Sequence, residues 1–447
     1  MMADYYNPGD THKVLYNPEE AWKHLEPPGL EVGPAPVRTF PPEVVPPPRD
    51  DEKFANDSDT ALTPEKRGIL VSRRRIYIAI AVTIIVIIAV VAGAVAGVLA
   101  HNKKSHAATT PAANATSSED IRNDSAIAVT GWKHNDSQWS VRLFYQDGDG
   151  FLRIASLEST DGEVWSGGTK FVKAKAGTPL AASSFNMSWY NDTESYMETH
   201  VFYLDDNGIL QEFIFKKADR AGRSGTLNNQ NIKVGLASKL ASYWPSISYQ
   251  SEDNHFGEIR FDCSTSAKDC WNNNRLNISG PVSASLAEVP MRTNLFGLFI
   301  YYQRDDEELV NYAWSNRTKE WTGTQQFAQP IPPTAPIAVM ATARNQADPY
   351  NNFFALWQDT DSNIVISWRN GTGWQAPETQ NAFGLALNGT NLACLTPASW
   401  NTAPIQYGHE LSRCYYIGQS GGLRQVQGGP KGWRDLGPVW NMSNATS

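Results

Sequence analysis

The chain has 447 residues, 41% of them hydrophobic and 11% aromatic, and a formal net charge of −8. The acidic balance excludes a nucleic-acid partner, which needs basic patches to neutralise phosphate. Eight histidines and four cysteines without CxxC or HxxxH spacing exclude the common metal centres, and no cofactor motif is present.

Residues 1–75 are rich in proline (PPGLEVGPAPVRTFPPEVVPPPRDDEK) and show no apolar periodicity. Such a segment buries too little apolar surface to offset its ordering entropy, so a disordered tail is expected. Ile76–Ala100 follows as 25 residues without a charge. At about 1.5 Å of rise per residue it crosses a bilayer core of roughly 30 Å, and it lies too far into the chain for a signal peptide. Arg73, Arg74 and Arg75 outweigh Lys103 and Lys104, so the tail is expected in the cytoplasm and the rest outside, a single-pass type II topology. Within the span, Gly93 and Gly97 form GxxxG, which would allow two helices to pair in a homodimer. Residues 101–123 read as a polar stalk.

Two features fit an outer location for residues 124–447. Glycosylation sequons stand at Asn114, Asn123, Asn135, Asn186, Asn191, Asn277, Asn316, Asn370, Asn388, Asn441 and Asn444, against only Asn56 before the span. All four cysteines are downstream as well, and local pairs, Cys263 with Cys270 and Cys394 with Cys414, would each join neighbouring strands.

From Ser125 onward one unit recurs. A strand of small residues (around Ala128, Ala182, Ala241, Ala284, Ala338 and Ala393) precedes an aromatic hairpin with a Gly/Asp turn, as in VRLFYQDGDGFLRIASL. Most copies then carry a Trp-bearing strand, at Trp165, Trp271, Trp321, Trp374 and Trp433; the second copy has none. Six four-strand units with a period of about 53 residues predict an all-β, six-bladed propeller. Small side chains suit the converging strands at the axis, and large aromatic ones fill the widening gaps between blades.

This pattern over residues 124–447 resembles the fungal fucose-specific lectins, and the acidic tail, arginine cluster and single span look like filamentous-fungal type II membrane proteins. The resemblance implies non-covalent binding of fucosylated glycans between blades, through an Arg on the second strand, a Glu on the third and an aromatic ring on the sugar's apolar face. Across a hairpin, positions 12 apart are expected opposite each other on one face. That spacing pairs Arg142 with Ile154, His200 with Glu212, Phe299 with Asn311, Phe354 with Ile366 and Arg413 with Gln425. The third copy does not align without a gap, its nearest positions being Ser246 and Phe261. No copy holds the full Arg/Glu pair. The candidate glycan contacts are His200 and Glu212, then Arg413 and Gln425 with Trp433, then Arg142 and Trp165.

No enzyme is expected. GxSxG, HExxH and P-loop motifs are missing, and STDGEVW only approaches a sialidase turn. The carboxylates Asp305 to Glu308 fall in a hairpin turn, as a solvated loop. A surface scaffold that keeps the fold but not the sugar is the alternative function.

Overall fold

Side chains alternate across a strand, so an amphipathic strand needs cover on one face only. Here the second strand of nearly every unit is buried along its whole length, as in Met197–Leu204, Ser246–Gln250 and Leu298–Gln303. Both faces of each sheet must therefore be covered by other sheets, and a ring of radially packed sheets meets that demand without leaving an apolar face open.

A computed structural model describes residues 121–440 except 135–137, 187–195, 217–218, 266, 292–296, 316–317, 345–350, 371–372, 397–410 and 430–431. It contains six antiparallel sheets, each a meander of consecutive strands. Blade I runs Ile127–Lys133, Trp139–Gln146, Phe151–Glu158 and Trp165–Lys173. Blade II runs Ala181–Asn186, Met197–Leu204, Leu210–Lys216 and Asp219–Ser224, and blade III Leu240–Tyr243, Ser246–Gln250, His255–Phe261 and Trp271–Ser279. Blade IV runs Leu286–Pro290, Leu298–Gln303, Glu308–Ser315 and Glu320–Pro330. Blade V has Ile337–Ala343, Asn351–Gln358 and Ile364–Asn370, the last pairing with two short strands, Gly373–Trp374 and Glu378–Thr379. Blade VI has Leu392–Cys394, Arg413–Ile417, Leu423–Gly429 and Gly432–Pro438. No α-helix occurs among the described residues, and no helix there is long and apolar enough to cross a membrane. The expected span, tail and most of the stalk lie outside the described residues.

The innermost strands touch their neighbours in cyclic order, and that of blade VI meets that of blade I, so the ring is closed. No strand is shared across this closure: blade I is built wholly from the start of the domain and blade VI wholly from its end. The axis holds a cavity of about 280 Å³ lined by Ala128, Ala182, Ala241, Ala338 and Ala393, as the small-residue strands predict. Blade IV departs from the expected register. Its inner strand starts at Leu286, Ala284 lies before it, and Ala287 takes the inner position, opposite Tyr301. Both expected disulfides are present, Cys263–Cys270 in the turn joining the third and outer strands of blade III and Cys394–Cys414 between paired strands of blade VI.

A buried amide ties each of four blades to the chain that leaves it. Gln146 donates to the carbonyls of Gly150, Ala174 and Lys175 and accepts from the Gly177 amide at 2.8 Å. Gln250, Gln303 and Gln358 repeat this at the same place in blades III, IV and V. Replacing Gln146 by Leu strands several buried carbonyls, so Gln146→Leu is expected to cost about 2 kcal/mol in urea unfolding. An unchanged midpoint would show that the amide is dispensable.

Candidate functional site

Residues 12 apart in a hairpin prove to be diagonal neighbours on one face rather than direct opposites. Arg413 stands opposite Gln427, and Gln425 opposite Tyr415. The same offset holds in blade II, where His200 faces Ile214 and Phe202 faces Glu212. Such a diagonal still brings long side chains together. Each pair looks toward the next blade, whose outer strand looks back at it with a Trp, except in blade II, where that strand has none.

At the seam between blades VI and I, Arg413 is 2% exposed and Gln425 7%. The guanidinium lies 3.4 Å from Gln425 Oε1 and 4.8 Å from the ring centre of Trp139, on blade I. Trp165, also from blade I, donates its indole N–H to Gln425 Oε1 at 3.2 Å and meets Tyr415 edge-on. The turn before Trp165 adds Glu163, whose half-exposed carboxylate sits 2.8 Å from Arg413. Trp433 is not part of this group. It pairs with Gly428 and so occupies the other face of blade VI, against Phe354 and Phe383. Strand alternation explains this, because Gly428 and Gln425 are an odd number of residues apart.

His200 and Glu212 do meet, with Nδ1 2.5 Å from Oε1, but inside a filled seam. His200 is 2% exposed and Glu212 1%. Glu198 lies 3.5 Å from the other ring nitrogen, and Phe185 and Trp244 pack on the imidazole. Glu212 also accepts from the Leu227 amide, and Gly225 passes so close that a Cβ there would overlap the carboxylate. Burial by itself would depress the imidazole, but Glu198 and Glu212 outweigh it and raise His200 to about 9. This is a buried ion cluster within blade II, covered by the Trp244 ring of blade III.

Arg142 is likewise engaged within its own blade, 2.6 Å from Glu158 and above Trp132. Phenylalanines fill the seam opposite it. Asn311 accepts from the Phe327 amide, and Phe354 and Ile366 are apolar. The solvated turn at Asp305 to Glu308 is as expected, with Asp306 held by Arg304. No group of metal-ligating side chains occurs among the described residues.

The third copy needs no gap. Ser246 pairs diagonally with Glu258, which accepts its hydroxyl at 3.0 Å, while Phe261 is on the opposite face against Trp271. The turn that carries Cys263 and Cys270 lies after this hairpin and does not interrupt it. Glu258 Oε2 accepts the indole N–H of Trp321, from blade IV, at 2.9 Å. A signal for this existed in the sequence. The recurrent Gln that ends the second strand lies four residues after the Arg position and eight before the Glu position, and counting from Gln250 gives Ser246 and Glu258. Glu163 and Trp139 carried no such marker.

Among known proteins, residues 121–421 match the family model described as fungal fucose-specific lectin. A fucose-specific lectin of Arthroderma benhamiae is 25% identical over 264 residues, covering 52% of this chain and 70% of that protein. Aleuria aurantia lectin, in complex with α-methyl-L-fucoside, is similar in structure at a TM-score of 0.57 and 20% identity, over 73% of this chain and 99% of that one. AofleA from Arthrobotrys oligospora gives 0.55 and 18%, over 72% and 88%. These likenesses show the fold, which for the Aleuria protein is described as a six-bladed β-propeller.

The His200 cluster yields a stability prediction. A raised imidazole stabilises fully below its unfolded value near 6.5, and the contribution fades as pH rises through about 9. Unfolding free energy should therefore fall across that window. Glu212→Ala is expected to cost about 3 kcal/mol and to flatten the fall. A pH profile identical in wild type and variant would contradict the assignment.

Proposed function

The chain belongs to the fungal fucose-specific lectin family, and from that premise we propose that its propeller binds glycans non-covalently at the seam between blades VI and I. The observation that carries this reading is the meeting, from opposite ends of the domain, of Arg413 and Gln425 with the indole of Trp165. A guanidinium donates to ring and hydroxyl oxygens, an amide oxygen accepts from a hydroxyl, and an indole covers the C–H face of a pyranose. A fucosylated glycan is the proposed ligand, and no catalytic step is involved.

Two features set this seam apart from a simple Arg/Glu site. An amide stands on the third strand, and the carboxylate comes instead from Glu163, in the turn of the facing blade. That carboxylate caps Arg413, so a sugar hydroxyl has to compete with it. Glu163 is half-exposed, so solvent screens its side of the ion pair with the buried Arg413 and lessens the competition.

We further propose that residues 76–100 anchor the chain as a single-pass type II membrane protein, with the propeller extracellular or lumenal. The charge asymmetry of the flanks supports this, and so do the exposed sequon asparagines Asn123, Asn277 and Asn388.

On a glycan array the full chain should bind fucosylated structures, and Arg413→Ala should weaken the signal about tenfold or more. Glu163→Gln, which removes the competing charge, should tighten binding by about threefold. An array blank for every glycan would favour the scaffold reading, for which the filled seams at His200 and Phe354 already provide a precedent within the ring.

A further inference from the structure

The cavity on the axis is lined unevenly. One residue past the alanine of each inner strand stand Val129, Ser183, Ser242, Glu288, Val339 and Cys394, and all six line it. Blades II, III and IV thus offer polar groups at this level, and the other three offer a valine, a valine and a disulfide sulfur. One residue farther along, Tyr243, Val289, Met340 and Leu395 are buried and are not part of the lining. At the other end the lining reaches the loops that lead into the inner strands, where Leu236 is 63% exposed. The volume of about 280 Å³ equals that of roughly nine water molecules, which is room for a small organic molecule.

Two groups in this lining lack partners among the described residues. Glu288 is 8% exposed, and its Oε1 has no hydrogen-bond partner, while Oε2 lies 3.4 Å from the Ser248 hydroxyl. A buried acceptor left unpaired is costly, so the site favours a molecule that answers it. Burial pushes the Glu288 carboxyl up to about 8, with Ser246 and Arg260 opposing the shift and the charge of Glu258 adding to it. At neutral pH it is an uncharged acid that can donate and accept. Nearer the open end stands Lys239, two residues before Ala241 and half-buried. No carboxylate of the described residues pairs with its ammonium, and burial alone pulls it below the usual lysine range. Asp124, the other acid at that end, is already held by Arg122 at 2.8 Å. From Lys239 to Ser242 is three residues of chain, about 10 Å at strand rise, with the alanine ring between them. The ammonium calls for an anion, the alanines for hydrocarbon, and Glu288 with Ser242 for a hydroxyl. Lys239 would repel a cation at the mouth, and a neutral ligand would leave its ammonium unanswered.

We propose that the axial cavity binds a small aliphatic carboxylate with a hydroxyl at its far end, the carboxylate on Lys239 and the hydroxyl on Glu288. The alkyl chain between them lies against the alanines of the inner strands. This site is independent of the glycan reading and shares no residue with the VI/I seam.

Ligand-observed NMR titration of the full chain tests this with three probes: ω-hydroxyhexanoate, hexanoate and the methyl ester of ω-hydroxyhexanoate. The hydroxy acid is expected to bind at millimolar concentration and hexanoate about fivefold more weakly, as for loss of one neutral hydrogen bond. The uncharged ester should bind about tenfold more weakly or worse, as for loss of a charged one. Lys239→Met, which keeps the length of the side chain, should weaken the hydroxy acid to the same extent, and saturating methyl α-L-fucoside should leave its binding unchanged. No binding of ω-hydroxyhexanoate overturns the proposal. So does binding that survives Lys239→Met in a variant with the near-UV circular dichroism of the wild type. Where that variant does not fold, the wild type decides, since an ester that binds as well as the acid refutes the role of Lys239. Displacement of the hydroxy acid by the fucoside would put it in a seam rather than on the axis, and would overturn the proposal as well.

Discussion

Every sheet in this molecule is apolar on both faces, and only another sheet can cover it. That constraint closes the ring, and it also decides where chemistry is possible. A seam between blades is the one place where side chains of two sheets converge while the outer edge stays open to solvent. Five seams are crossed by the connecting chain, and four of those are tied further by a buried Gln at the end of the second strand. The seam between blades VI and I has no connecting chain. It is held by an apolar cluster that includes Leu143, Leu157, Tyr415 and Ile417, by Asn391 donating to the Ser125 carbonyl, and by the Trp165–Gln425 and Glu163–Arg413 contacts. The proposed glycan site is therefore also the closure of the ring, and a sugar bound there bridges the first and last blades.

The six seams show what happens to buried polar positions when one of a pair changes. An unpaired buried charge is costly, so a surviving group must find another partner or be replaced by carbon. Blade I keeps Arg142 by turning it to Glu158 of its own sheet. Blade II keeps Glu212 by burying His200 beside it. Blade V has given up polarity altogether, with Phe354 and Ile366 packed around Trp433. Blades III and VI each retain one member in place and receive the opposite charge from elsewhere, Arg260 in the first case and Glu163 in the second. Among the described residues, it is in these two seams that the indole N–H of the next blade reaches the polar residue of the third strand.

Much of this architecture was legible in the chain itself. The alternation of small-residue, aromatic and Trp strands reports distance from the axis, because the space between blades widens outward. Cysteine proximity gave both disulfides. The sites were harder to read, since they are made between units. Trp433 is near Arg413 in sequence, but strand alternation turns it to the opposite face, while Trp165, 260 residues from Gln425, completes the seam. Glu258 stands 12 residues after Ser246, as in the other copies, but a serine at the arginine position gave the alignment nothing to start from. Arg260 and Glu163 stand at positions where no repeat is expected, and only the pairing of strands and blades shows what they face.

The most direct measurement is a crystal structure of the protein grown with methyl α-L-fucoside. The account requires sugar density at the closure seam, with Arg413 released from Glu163 and bonded to the pyranose, and the Trp165 indole against its C–H face. A fully occupied sugar at any other seam with the Glu163–Arg413 contact intact, or a seam left unchanged at saturating fucoside, would contradict it.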